Sequence, residues 1–185
     1  MALVESNMLP LGTLAPDFTL PDTVSGKTFT LEDFRSNTAT VVMFLSNHCP
    51  YVKFVNPEIA HLAVQYQAQG IKFCAIACND ITRYPDDAPE FMKETAEKEG
   101  YTFPYLYDES QTVARAYDAA CTPDFYIFNK DLKLVYRGQL DSARPSNGKV
   151  PNGENIRAAL DNLITGLAVN PMQRPSAGCS IKWKQ

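Results

Sequence analysis

The residues of this chain best placed to do chemistry lie in Ser46-Asn47-His48-Cys49-Pro50-Tyr51-Val52-Lys53. Cys49 follows an apolar run and immediately precedes a proline, the residue whose fixed φ and missing N–H suit the first position of a helix. A cysteine at that junction caps the helix, where unpaired backbone N–H groups and the positive end of the dipole favour thiolate over thiol. The thiolate is the nucleophile, so the expected chemistry is attack on an already oxidised sulfur or oxygen. The competing reading is a small buried hydrophobe, which free cysteine often is. Lys53, one turn into the helix, adds positive charge to the same end. His48 admits two roles, a partner for the thiolate or a solvated loop residue, because neighbouring side chains of an extended segment point to opposite sides. His61 falls in the helix interior and reads as a surface residue.

Four other thiols accompany Cys49, at positions 74, 78, 121 and 179. An odd and scattered set is no disulfide framework, so each is read alone. Cys74 and Cys78, four apart in an apolar run, would share one side of a strand about 13 Å apart, too far for a disulfide or a shared tetrahedral metal. Cys74 is expected in the core. Cys78 leans the same way, with an alternative place at the C-terminal ends of the strands, where open α/β sheets hold ligands. Cys179, in the last stretch of chain, is a candidate to resolve an oxidised Cys49, since a flexible segment can carry a distant thiol to it. Asn79-Asp80 and Asp141 have two readings, acceptors or cation ligands at that end of the sheet, or turn residues that cap loops. No metal site and no cofactor are expected, because the cysteines and the two histidines lack ligand spacing.

The elements that must position these groups alternate strand and helix, an α/β layout. Thr30-x-x-Asp33 predicts a capping box opening a short helix. Thr40 to Ser46 reads as a central strand buried on both faces. From Pro50 to Gln69, Val52, Val55, Ile59, Leu62 and Tyr66 step by three and four along one helical face, and Gly70 ends that helix. Ile71 to Cys78 is a second buried strand, and Asp87-x-x-Glu90 predicts a polar helix running to Gly100. Phe103 to Tyr107 reads as a short strand, and Gln111 to Tyr117 as a short helix. Phe125 to Phe128 and Leu134 to Arg137 form a hairpin around Asn129-Lys130-Asp131. Ile156, Ala159, Leu160, Leu163 and Leu167 mark a last helix. Beyond Gly166 an extended tail lies over the body, with Trp183 anchoring it in an apolar groove.

With 185 residues, 45% hydrophobic and 21% charged, the chain suits one globular domain over 1–185, with 168–185 as a tail packed on it. Seventeen basic against 21 acidic side chains, with no basic stripe, give no support to a nucleic-acid or membrane partner. The N-terminus lacks the basic and apolar regions of a signal peptide, so a cytoplasmic location is expected. Oligomeric state is not set by these features.

A strand, a Cys49-Pro50 helix start, Pro57 inside that helix, and Pro123 in Cys121-Thr122-Pro123-Asp124-Phe125 before a hairpin together resemble the thioredoxin fold. The leader Gly12-x-x-Ala15-Pro16-Asp17-Phe18-x-Leu20 with Leu31-x-x-Phe34 is similar to the N-terminal signature of the redoxin superfamily, the alkyl hydroperoxide reductase and thiol-specific antioxidant type. The Asn-His-Cys-Pro-Tyr-Val-Lys stretch, Asn79-Asp80 with Tyr84-Pro85, and Gly178-Cys179-Ser180-Ile181-Lys182-Trp183-Lys184 resemble peroxiredoxin-like thioredoxin-family proteins. The resemblance implies a thioredoxin-like fold, a central mixed β-sheet flanked by helices, with an N-terminal extension and an extended C-terminal tail. It also implies that Pro123 is cis beside the cysteine, that the Thr122 backbone hydrogen-bonds a bound peptide, and that Cys121 lies on the rim of the site as a second candidate resolver. The chain departs from the family in three places. Val52 stands where thioredoxin has its second cysteine and peroxiredoxins their peroxidatic one. Met43 replaces thioredoxin's buried aspartate, leaving proton transfer to water or His48. The peroxidase arginine has no clear counterpart.

The leading expectation is a thiol-disulfide oxidoreductase acting in redox homeostasis, with catalytic Cys49 attacking an oxidised thiol or disulfide. Cys121, Cys179, a thioredoxin-type protein or glutathione would then resolve the mixed disulfide. The alternatives are an antioxidant thiol peroxidase acting on hydrogen peroxide or alkyl hydroperoxides, and a non-catalytic binding module.

Overall fold

The computed structural model describes residues 3–185. Strand β1 (Leu3–Glu5) is followed by a hairpin of β2 (Thr19–Pro21) and β3 (Thr28–Thr30). The predicted capping box is present, Asp33 Oδ2 accepting from the Thr30 N–H at 2.7 Å and hydroxyl at 2.8 Å. It opens a single 3-10 turn, Leu31–Phe34, that buries its two apolar ends. Strand β4 (Ala39–Phe44) is buried at every residue and forms the centre of the sheet, parallel to β5 (Lys72–Ala77) and antiparallel to β8 (Asp124–Asn129). Between β4 and β5 runs α1 (Pro50–Gln67), with Pro57 inside it and the predicted face from Val52 to Tyr66 buried.

After β5 the expected helix start is corrected. Asp87 does not cap α2; a 3-10 turn, Pro85–Asp87, precedes it, and α2 spans Pro89–Glu99. A proline at the first helical position suits that start, and Asp87 is fully buried elsewhere. Next come β6 (Tyr105–Tyr107), α3 (Thr112–Ala116) and β7 (Cys121–Thr122), then β8 and its hairpin partner β9 (Leu134–Gly138). Helix α4 (Glu154–Ile164) and β10 (Ala177–Ser180) complete the chain.

The main sheet has the order β6-β5-β4-β8-β9, a mixed sheet with helices on its faces, which is the expected thioredoxin-like arrangement. Alternation along the buried strands divides the interior into two cores. Val41, Met43, Phe73 and Ala75 meet α1, α2 and α4 on one face, where Cys49 also lies. Val42, Phe44, Cys74, Ile76 and Cys78 meet α3 and the N-terminal hairpin on the other.

A second, three-stranded sheet of order β1-β10-β7 sits at the Cys49 end. The last residues are therefore more than the expected extended tail, because Ala177–Ser180 is a strand paired on both edges. Trp183 packs against the second core, with the Arg115 guanidinium 4.3 Å above its ring. Among the described residues, no helix is long and apolar enough to cross a membrane.

Candidate active site

Cys49 is the N-cap of α1, with extended backbone (φ −67°, ψ 120°) and Pro50 at the first helical position. Its carbonyl accepts the first helical bond, from the Lys53 N–H at 3.0 Å. The thiol is wholly buried and donates to the Thr122 carbonyl oxygen at 3.2 Å. The Thr122–Pro123 peptide is cis, so strand β7 and its proline lie directly over the cysteine.

Cys179 arrives at the same place by strand pairing. In the antiparallel register of β10 with β7 it stands opposite Thr122, the residue whose carbonyl binds Cys49. Gly178 makes the approach possible: a Cβ there would lie 2.0 Å from the Thr122 carbonyl oxygen. The Cys179 and Cys49 thiols meet, and burial followed by that contact pushes the Cys179 thiol up to about 12. Cys121 is opposite Ser180, its sulfur 3.9 Å from the Pro123 carbonyl. Burial, then the charge of Asp124, raises the Cys121 thiol above its ordinary range. Thus Cys49, Cys121, Thr122, Pro123 and Cys179 are brought together. Cys179 does not sit on a flexible segment, since β1 covers the outer edge of its strand.

Cys74 and Cys78 lie on the opposite face of the sheet, so Cys78 does not reach the site. Burial raises both thiols.

His48 is held by a carboxylate that the sequence reading assigned to a helix cap. Its Nδ1 lies 2.6 Å from Asp87 Oδ2, and its ring stacks on Tyr84 at 5.2 Å between centroids. Nε2 is buried and without a hydrogen-bond partner. Asp87 accepts from the backbone N–H groups of Asn47 (2.7 Å) and His48 (3.2 Å), from the Ser46 hydroxyl (3.1 Å), and from Asn79 Nδ2 (2.7 Å). Burial opposes its ionisation, but the hydrogen bonds from His48 and Asn79 outweigh it and hold the carboxyl below its usual range. Asn79 also accepts from the Lys182 N–H at 2.8 Å, which ties the residues after β10 to the loop before α1. The signal for Asp87 was an acidic residue two places before Pro89, and that pattern reads locally as a cap.

The remaining polar candidates do structural work. Asp80 accepts from the Thr82 N–H, and Asp141 from the N–H groups of Ala143, Asn152 and Gly153. Lys53 is exposed, and so is His61, 3.7 Å from Glu58. Arg137 donates to the Leu9 carbonyl and Gln173, and Arg144 to Gln139, Asp141 and Ala143. Neither meets Cys49 in a hydrogen bond. Asp124, next to Pro123, is fully buried; burial pushes its carboxyl up to about 7 against hydrogen bonds from the Tyr126 hydroxyl and the Phe125 N–H. Among the described residues, no group of three or more His, Cys, Asp and Glu side chains could hold a metal ion.

Two adjacent thiols, one at a helix N-terminus, can cycle between dithiol and disulfide without a cofactor. The AhpC/TSA family model matches residues 11–137. The thiol-disulfide oxidoreductase ResA of Geobacillus thermodenitrificans is 27% identical over 131 residues, 70% of each chain. Among solved structures, an uncharacterized conserved protein from Geobacillus kaustophilus is 59% identical with a TM-score of 0.98, covering 100% of this chain and 97% of its own. A hypothetical protein from Sinorhizobium meliloti is 46% identical with a TM-score of 0.95, over 97% of this chain and 98% of its own.

Proposed function

The chain belongs to the AhpC/TSA family, and on that footing we propose that it is a thiol-disulfide oxidoreductase in which Cys49 is the nucleophile and Cys179 its resolving partner. The observation that carries this reading is the β10–β7 register, which sets Cys179 opposite Thr122, the residue whose carbonyl binds the Cys49 thiol. The curated ResA relative, named a thiol-disulfide oxidoreductase, supports the same reaction class.

The Cys49 thiolate attacks one sulfur of a substrate disulfide, forming a mixed disulfide as the other substrate sulfur leaves as a thiolate and takes a proton. Cys179, having lost its proton, then attacks the Cys49 sulfur. The bond to the substrate breaks, the second substrate thiol is released, and a Cys49–Cys179 disulfide remains. A second thiol donor, a thioredoxin-type protein or glutathione, returns both cysteines to thiols. Cys121, rather than resolving, turns its sulfur to the Pro123 carbonyl. A reducing compartment such as the cytoplasm suits five free thiols.

Reaction of the reduced protein with oxidised glutathione, followed by mass spectrometry, tests the pairing. Wild type should end as the Cys49–Cys179 disulfide, Cys179→Ser should stop at a glutathione adduct on Cys49, and Cys49→Ser should form neither. Absence of any Cys49 adduct in wild type would remove the proposal.

The complete burial of Cys49 favours a second reading, peroxide as the oxidant, because a small molecule passes where an extended peptide does not. Rapid-mixing peroxide consumption no faster than that of a free thiol would dismiss it.

A further inference from the structure

Asp87 is a buried carboxylate that belongs to none of the cysteine-bearing strands, yet its contacts reach both sides of the proposed thiol pair. Through Ser46, Asn47 and His48 it fixes the three residues that precede Cys49. Through Asn79, whose other amide atom holds the Lys182 N–H, it is linked to the chain just beyond Cys179. A carboxylate accepts only, so His48 gives it the Nδ1 proton. The neutral imidazole then has a lone pair on Nε2, and that atom is buried and unpartnered. An unsatisfied buried polar atom is costly and calls for an explanation beyond packing, which Nδ1 and the Tyr84 stack already provide.

We infer that His48 Nε2 is the acid–base group of the thiol exchange, and that Asp87 is the positioning residue that fixes its tautomer and holds the residue next to Cys49. The inference rests on the thiol-exchange reading above. In each half-reaction Nε2 accepts the proton of the attacking protein thiol, so that imidazolium forms against the Asp87 carboxylate. It then gives that proton to the departing substrate thiolate. One proton is taken and one returned per sulfur–sulfur bond broken, so two protein thiols and one substrate disulfide become two substrate thiols and one protein disulfide. The ionisable groups around the imidazole are Asp87 and Tyr84 ahead of α2, Cys49 at the head of α1, and Lys182 beyond β10. Tyr105 on β6, bonded to Asn47, completes the set, while Cys78, across the sheet, feels the charge of Asp87.

The test follows the rate of Cys49 reaction with oxidised glutathione against pH in wild type, Asp87→Asn and His48→Gln, with a thermal melt of each variant. The wild-type profile should show a step in the histidine range. Both variants should lose it, react roughly tenfold or more slowly near neutral pH, and converge with wild type in alkali, where thiols ionise unaided. Profiles lowered by one factor at every pH, or superimposed on wild type, would overturn the inference by showing a structural role only. His48→Gln removes the acid–base group but keeps the loop carboxylate, so the comparison holds even where Asp87→Asn melts early. A wild type that forms no glutathione adduct on Cys49 removes the underlying reaction and the relay with it.

Discussion

Cys179 stands opposite Thr122 across an antiparallel strand pair, and that register lays its thiol against Cys49. The consequence is that Cys49 has no exposed surface and is roofed by a strand distant in the chain.

Because a Cβ at position 178 would fall 2.0 Å from the Thr122 oxygen, Gly178→Val should push β10 off β7. Iodoacetamide should then alkylate Cys49 at least roughly tenfold faster than in wild type, measured by peptide mass spectrometry. An unchanged rate would mean that β10 does not control access.

Cys74 sits in the second core, on the sheet face away from Cys49. Cys74→Ala should therefore leave the products of glutathione oxidation unchanged while lowering stability by about 1–2 kcal/mol in urea unfolding. A change in which cysteines pair would show that the two faces communicate.

Asp124 gives stability a pH dependence of defined sign. Its carboxyl is pushed up to about 7 in the folded chain from an ordinary value of 3.8, so between those values the folded state binds more protons than the unfolded one. The contribution is full below about pH 4 and is lost as pH rises through 7, by up to roughly 4 kcal/mol. Asp124→Asn should flatten that decline in denaturant midpoints measured from pH 5 to 8. A wild-type midpoint that rises over the same range would contradict the assignment.

Asn79→Ala removes both the amide that binds Asp87 and the acceptor that holds Lys182. Slower closure of the Cys49–Cys179 disulfide is expected, with accumulation of the glutathione adduct on Cys49, since the segment carrying Cys179 loses a tether. Closure at the wild-type rate would show that strand pairing alone seats Cys179.

The sequence by itself determined what depends on neighbours in the chain. Pro50 after Cys49 starts a helix whose apolar spacing buries Val52 to Tyr66, and the continuous run over β4 fits burial on both faces. Those signals placed Cys49 at a helix N-terminus, and the resemblance to the thioredoxin fold marked Pro123 for the site. Tertiary structure decided the partners. Cys179 was legible as a candidate resolver only by way of a flexible tail, because its strand pairs by backbone hydrogen bonds with β1 and β7, and such pairing leaves little trace in residue type. Asp87 looked like a helix cap because capping is local, whereas its actual bonds cross from α2's approach to the loop before α1. Cys49 at its helix start was legible from a junction of adjacent residues; the groups that surround it were not, since packing and register joined segments that are distant in the chain.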